Sequence, residues 1–180
     1  MAICKNGHKI SLLVERHPRI GLQTFSKVIA ASSRGVCISR LHPDYVTQRF
    51  GIDRSRCYWL SGCKGRDVLT PRMLAHIVKV IRSETKEKDA VVFFDGLEYL
   101  LLYNDMAKVM AFLDEVDLLL GKAEAEMIVC IDPLTFEQKD IDRLWASFPN
   151  CTPEEMALTL TKPPSQQTGS AAPMTAGQTI

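Results

Sequence analysis

The segment Ala90-Val91-Val92-Phe93-Phe94-Asp95-Gly96-Leu97-Glu98-Tyr99-Leu100 constrains this chain more than any other. An apolar run ends abruptly in Asp-Gly and restarts as a second apolar segment. Strands buried on both faces of a parallel sheet read as unbroken hydrophobic runs. A run that ends in an acid carries its carboxylate to the edge of the sheet where open α/β folds hold their ligands. The segment therefore predicts a nucleotide-type α/β architecture and directs attention to the strand ends.

The rest of the chain repeats the pattern. Residues 9–15 read as a strand ended by Arg16-His17-Pro18. Phe25, Val28 and Ile29 give helical spacing over 20–31, with Arg34-Gly35 closing the helix. A short buried strand over 36–39 leads into Arg40-Leu41-His42-Pro43, and a short helix over 44–50 ends at Gly51. Residues 58–60 form a third strand, followed by a Gly-containing turn over 61–66. Thr70-Pro71 predicts the start of a long helix, with Thr as cap and Pro at the first helical position. Its apolar face is Leu74, Ile77, Val78 and Ile81, and the charged run 82–89 is its solvated end.

Met106, Val109, Met110, Leu113, Val116 and Leu120 mark a further helix whose methionines belong to a core stripe. Residues 126–132 read as a fifth strand. Thr135 and Gln138 have capping-box spacing for a helix with Ile141, Leu144, Trp145 and Phe148 inward. Met156, Leu158 and Leu160 alternate as a last edge strand. From about residue 161 the composition turns to Pro, Ser, Gln, Thr and Gly, too poor in apolar surface to offset the entropy of ordering. The expectation is one α/β domain over 1–160, a three-layer sandwich on a mainly parallel sheet of about six strands, and a disordered tail over 161–180.

Bulk properties narrow the function classes. A chain of 180 residues with 46% hydrophobic content buries a core without needing a disulfide or metal staple. A net charge of +1 makes no case for nucleic acid, and no apolar run approaches a membrane span. The N-terminal residues lack the apolar core of a signal peptide, which predicts a cytoplasmic protein. Six cysteines are present without a Cys-x-x-Cys pair. Cys37 and Cys130 sit in apolar strands, where a thiol acts as a small hydrophobe. Cys57 and Cys63 with a histidine form the weaker alternative, a zinc or redox site.

The strand ends gather Arg16 and His17, Arg40 and His42, Ser61, Asp95 and Glu98, and Asp132. Two basic and two acidic ends converging on one rim form a polar pocket. The plainer alternative is that polar residues stand wherever a chain leaves the core, and Asp-Pro and His-Pro are ordinary turn openings. The first strand–helix loop, residues 16–24, departs from the phosphate-binding pattern Gly-x-x-x-x-Gly-Lys-Ser/Thr. Gly21 and a nearby Thr24 survive, but Arg16 stands for the first glycine and Leu22 for the lysine. Without the glycines that let amides wrap a phosphate, and the lysine that reaches the outer phosphates, triphosphate binding of the usual kind is not expected. The positive N-terminal end of the following helix leaves room for weaker anion binding.

No Gly-x-Ser-x-Gly elbow and no Gly-x-Gly-x-x-Gly loop follows a strand. A Cys37–His42 nucleophile pair has unfavourable placement, with the cysteine inside its strand. Asp95 and Glu98, three apart, act as paired carboxylates if a helix starts at Gly96. Alternatively Asp95 holds the turn and Glu98 interacts with the first helical turn, the reading preferred for Glu98.

Gly35-Val-Cys-Ile-Ser-Arg-Leu-His-Pro43, Tyr58-Trp-Leu60, Val92-Phe-Phe-Asp-Gly-Leu-Glu-Tyr-Leu100 and Ile131-Asp-Pro133 occur here in order. With them the chain resembles, over about residues 7–160, an archaeal domain-of-unknown-function family often appended to PAS-type signalling proteins. That family is distantly similar to RecA-type and circadian-clock-type ATPases and to methylotroph sensory domains. The resemblance implies a RecA-like sandwich with Asp95 at the metal-assisting position. This chain departs from those ATPases in its phosphate loop, and in Arg40, which stands where they often place a catalytic glutamate.

These readings converge on a non-catalytic cytoplasmic signalling or protein-interaction module. It would bind a ligand or partner at Arg40, His42, Asp95, Glu98 and Asp132, with no cofactor. The partner would be a signalling protein or a second copy, or a small molecule, and neither nucleic acid nor membrane. The alternative is a degenerate nucleotide binder or metal-assisted phosphohydrolase using Asp95, with Arg16, Arg19 or Arg40 on phosphates.

Overall fold

The computed structural model describes residues 7–31, 34–87 and 89–156. Their strands are β1 (Ile10–Val14), β2 (Gly35–Ser39), β3 (Cys57–Leu60), β4 (Val68–Leu69), β5 (Val91–Asp95), β6 (Glu126–Ile131) and β7 (Asn150–Cys151). They form one sheet in the order β4-β3-β2-β5-β6-β1-β7, and every pairing is parallel. The helices are α1 (Arg19–Ala31), α2 (Pro43–Phe50), α3 (Leu74–Glu84), α4 (Leu97–Leu101), α5 (Met106–Ala123) and α6 (Gln138–Ser147).

Side chains alternate across each strand, and both faces of this sheet are covered. On β5, Val92 and Phe94 join the core made with α3, α4, α5 and α6. Val91 and Phe93 join the opposite core, made with α1 and α2. The result is the expected three-layer α/β sandwich on a parallel sheet. The cysteines expected to act as core hydrophobes, Cys37 and Cys130, are both buried on the α1/α2 side.

The strand order positions the site. The chain leaves β1 and β2 toward α1 and α2 on one face. It leaves β5 and β6 toward α4, α5 and α6 on the other. Neighbouring strands therefore send their loops apart at β2/β5 and at β1/β6, and such divergence opens crevices beyond the carboxyl ends of a parallel sheet. Asp95 ends β5 at the first of these points.

Several local expectations are corrected. Two-residue strands β4 and β7 edge the sheet, giving seven strands instead of about six. The alternation from Met156 makes no edge strand at its start, because 153–156 is a helical turn in which Met156 N–H donates to the Thr152 carbonyl. Positions 157–160 and the tail over 161–180 lie outside the described residues. The long helix starts at Leu74, not at Thr70-Pro71. The Thr70 carbonyl instead closes a turn with Met73 N–H, and Pro71's carbonyl accepts from the Asn104 side chain at 2.9 Å.

Gly35 is the first residue of β2 and not a helix cap. A Cβ there would meet Phe25 Cζ at 2.8 Å, so its bareness lets α1 lie close to the strand. Thr135 belongs to a 3-10 turn (Pro133–Thr135), and its hydroxyl donates to the Asp132 carbonyl at 2.7 Å, so it caps no helix. By contrast α2 follows its signals. His42 Nδ1 accepts from Asp44 N–H, Pro43 opens the helix, and Gly51 at φ 70° ends it. No helix among the described residues is long and apolar enough to cross a membrane.

The inner face of α6 is Ile141, Leu144 and Phe148, while Trp145 is 41% exposed. Leu144→Ala is expected to lower unfolding free energy by about 2–5 kcal/mol, as for other buried leucines. Trp145→Ala should cost under about 1 kcal/mol. Urea unfolding of the two variants reads the difference, and equal losses would place Trp145 in the core after all.

Candidate functional site

Parallel pairing sets Ile38 beside Phe94, so the next residues, Ser39 and Asp95, end β2 and β5 side by side. On the other flank Asp95 faces Cys130 of β6. Alternation turns Ser39 and Asp95 toward the α1/α2 face, the face of Cys37, Phe93 and Cys130. A carboxylate so placed is buried, with Asp95 only 2% exposed. A buried charge persists only when paired and hydrogen-bonded.

Asp95 is both. Its Oδ2 accepts from the Ser39 hydroxyl at 2.8 Å and from Arg40 N–H at 3.3 Å. Its Oδ1 accepts from Arg40 Nη2 at 3.0 Å. Ser39 Oγ also accepts from Leu41 N–H at 3.0 Å, which turns the chain out of β2. Arg40 Nη1 reaches on to Glu98 Oε1 at 2.5 Å, so one guanidinium spans two carboxylates. Gly96 makes room for it. At φ 121° it adopts a conformation that side chains disfavour, and a Cβ would lie 2.8 Å from Arg40 Cγ and 2.9 Å from Leu60 Cδ2. The Asp-Gly pair in the sequence is thus one acid and the space for its arginine.

The charges respond accordingly. Burial works against the positive charge of Arg40, but Asp95 and then Glu98 outweigh it and hold its pKa above the ordinary value. Burial raises the Glu98 carboxyl, only partly opposed by Arg40, and the negative charges of Asp95 and Asp132 add to the rise. Glu98 Oε2 is buried without a hydrogen-bond partner among the described residues, which is why the charged form is costly. Burial likewise pushes the Cys130 thiol far up.

Of the five residues that the sequence brings to the rim, three meet. Arg40, Asp95 and Glu98 form the cluster. His42 turns away to cap α2 and packs edge-on to Trp59, with ring centroids 4.9 Å apart. Asp132 Oδ1 accepts from Leu134 N–H at 3.0 Å and holds the turn after β6, so it reaches Glu98 only through its charge. The preference for Glu98 as a residue of the first helical turn needs amending. It sits on that turn, but its carboxylate is spent on Arg40. The Cys57–Cys63 pair is not assembled, since Cys57 is buried in β3 in register with Cys37 and Cys63 is exposed. A hydrogen bond to Cys57 holds the Cys37 thiol well above its ordinary value, with burial adding to the rise, so it is no nucleophile. Among the described residues no group of three or more His, Cys, Asp or Glu could hold a metal ion.

Three contributors were not singled out. Ser39 reads in the sequence as a strand residue, and its place at the end of the apolar run Val36-Cys37-Ile38 is the available signal. Trp59 Nε1 donates to the Arg40 carbonyl at 3.0 Å and ties β3 to the cluster. Glu15 is the third. Its Oε1 accepts from Ile20 N–H at 2.6 Å and its Oε2 from Gly21 N–H at 2.8 Å. The start of α1 was expected to leave room for weak anion binding, and the chain's own carboxylate takes it. An acid just ahead of a helix start was the signal.

The raised Glu98 pKa has a pH consequence with a definite sign. Between the ordinary glutamate value, near 4.5, and the higher folded value, the native state holds a proton that the unfolded chain has released. Stability from this group is therefore full below that window and falls as pH rises through it. Glu98→Gln should remove the fall. Urea unfolding from pH 4 to 7 is expected to show the variant gaining stability relative to the wild type as pH rises. A difference that stays constant, or runs the other way, would contradict the assignment.

The comparisons with known proteins agree with this picture at the level of family. No curated protein matches the chain. One solved structure with a similar chain is that of Drosophila ORC bound to AT-rich DNA and Cdc6, at 17% identity and a TM-score of 0.37. The match covers 81% of this chain and 48% of that one, so this chain spans about half the length of that solved chain. The model described as "Protein of unknown function (DUF835)" matches residues 15–148, from the Glu15 that caps the start of the first helix to the Phe148 that ends the last, and the chain belongs to that family.

Proposed function

We propose that this chain is a non-catalytic cytoplasmic signalling or protein-interaction module that engages its partner at the carboxyl rim of the sheet. One contrast carries the reading. The acids at the centre of the rim are turned inward and share one arginine, while large apolar side chains stand outward around them. Asp95 has both oxygens engaged by Ser39 and Arg40, and Glu15 occupies the start of α1. Ile20, Tyr45, Met73, Leu102, Tyr103 and Leu134 are all exposed in the loops and helix ends at this edge, Leu134 at 84%. Exposed apolar side chains that recur along one edge favour a protein contact.

The ATPase-type chemistry suggested by an acid at this strand end lacks its usual support. Phosphoryl transfer depends on positioning and on charges directed at the phosphates. Here the acid is satisfied by an arginine from the neighbouring strand. The archaeal setting and the link to PAS-type sensors, implied by the resemblance, fit a module that relays a signal through a partner. That partner is a signalling protein or a second copy of the chain.

Titration calorimetry with ATP, GTP and cyclic nucleotides in the presence of Mg2+ tests this. No saturable heat is expected with any of them. Mg2+-dependent binding that is lost in Asp95→Ala but survives Glu98→Ala would overturn the proposal in favour of a nucleotide site.

A further inference from the structure

A cavity of about 350 Å3 opens beside α1 and α2, lined among others by His17, Arg19, Leu41, Tyr45, Arg49 and Phe50. It is separate from the Arg40–Asp95–Glu98 cluster, since none of those three residues lines it. Its size falls at the lower end of the range for small-molecule sites. Its lining is divided. Leu41 and Phe50 are half-buried and apolar, and the Tyr45 ring stands edge-on to Phe50 with centroids 6.3 Å apart. Arg19, Arg49 and His17 bring only nitrogen-bearing groups, and no carboxylate lines the space.

The two guanidiniums are uncommitted. Neither Arg19 nor Arg49 has a side-chain hydrogen bond or ion pair among the described residues. The nearby acids are spent elsewhere, Glu15 on the amides of Ile20 and Gly21, and Asp44 on Arg54 Nε at 2.8 Å. Because those amides are already satisfied, the start of α1 offers little to an anion, and recognition would fall to side chains. Arginine forks bind carboxylate and phosphate oxygens in a plane, and tyrosine and phenylalanine faces accept a flat apolar body.

We infer that this cavity binds a small organic anion with a planar apolar body, held by Arg19 and Arg49 at its charged end and by Tyr45 and Phe50 along its length. This goes beyond the proposed protein contact and does not rest on it, because of the outward apolar residues of the rim only Tyr45 lines this cavity.

Amide NMR with three probes tests the inference: 2-naphthoate, its neutral counterpart 2-naphthamide, and inorganic phosphate. 2-Naphthoate should shift the amides of Arg19, Leu41, Tyr45, Arg49 and Phe50, and bind about tenfold or more tighter than either other probe, the size of one charge-assisted contact. The double variant Arg19→Gln with Arg49→Gln should lose that preference while retaining the wild-type spectrum elsewhere, since both side chains are exposed. Equal binding of acid and amide, equal binding of phosphate, or shifts confined to other surfaces would each overturn the inference. So would a preference for 2-naphthoate that survives in the double variant.

Discussion

The ion pair between Arg40 and Asp95 ties together the two strands at which the topology of this fold reverses. β2 and β5 send their chains to opposite faces, so nothing in the loops themselves keeps their ends together. Asp95 does so by accepting from the hydroxyl, the amide and the guanidinium of the facing strand. The partner charge is required because a lone carboxylate at 2% exposure would be neutralised by a proton or unfold its surroundings. Glu98, Trp59 and Gly96 are then shaped by the arginine: one extends its pairing, one anchors its backbone, and one leaves it space.

The same economy operates at the other reversal, between β1 and β6. There Glu15 leaves β1 and turns its carboxylate back onto the first amides of α1. At each reversal one of the chain's own side chains engages polar groups of the facing segment, an arginine at one and a glutamate at the other. A fold whose strand ends commonly hold ligands here supplies its own counterions. That supports reading the surface around these centres, and not the centres themselves, as the working part of the molecule.

Much of this was legible in the sequence, and the limits have physical causes. The five longer strands were visible because strands covered on both faces need uninterrupted apolar runs. Arg40, Asp95 and Glu98 were recognisable as rim residues because each closely follows such a run. Their pairing was not, because it depends on β2 lying beside β5, a neighbour far away in the chain. β4 and β7 were missed because two residues carry no periodicity. At Thr70-Pro71 a good local start signal lost to a turn anchored by Asn104 from another element, and Trp145 lost its inward place because Leu144 and Phe148 fill that face. Glu15 does not stand out in the sequence because acids at strand ends are common, and only its two amide contacts distinguish it.

The central claim is that Asp95 serves the fold. Residues kept for binding or catalysis often carry a stability cost, so that replacing them stabilises the protein. A structural acid behaves in the opposite way. The decisive measurement is the unfolding free energy of Asp95→Asn in urea at neutral pH. The account predicts a loss of about 1–3 kcal/mol, the worth of hydrogen bonds to a charged group. Unchanged or increased stability would contradict it, and would return Asp95 to the role of a ligand-binding residue.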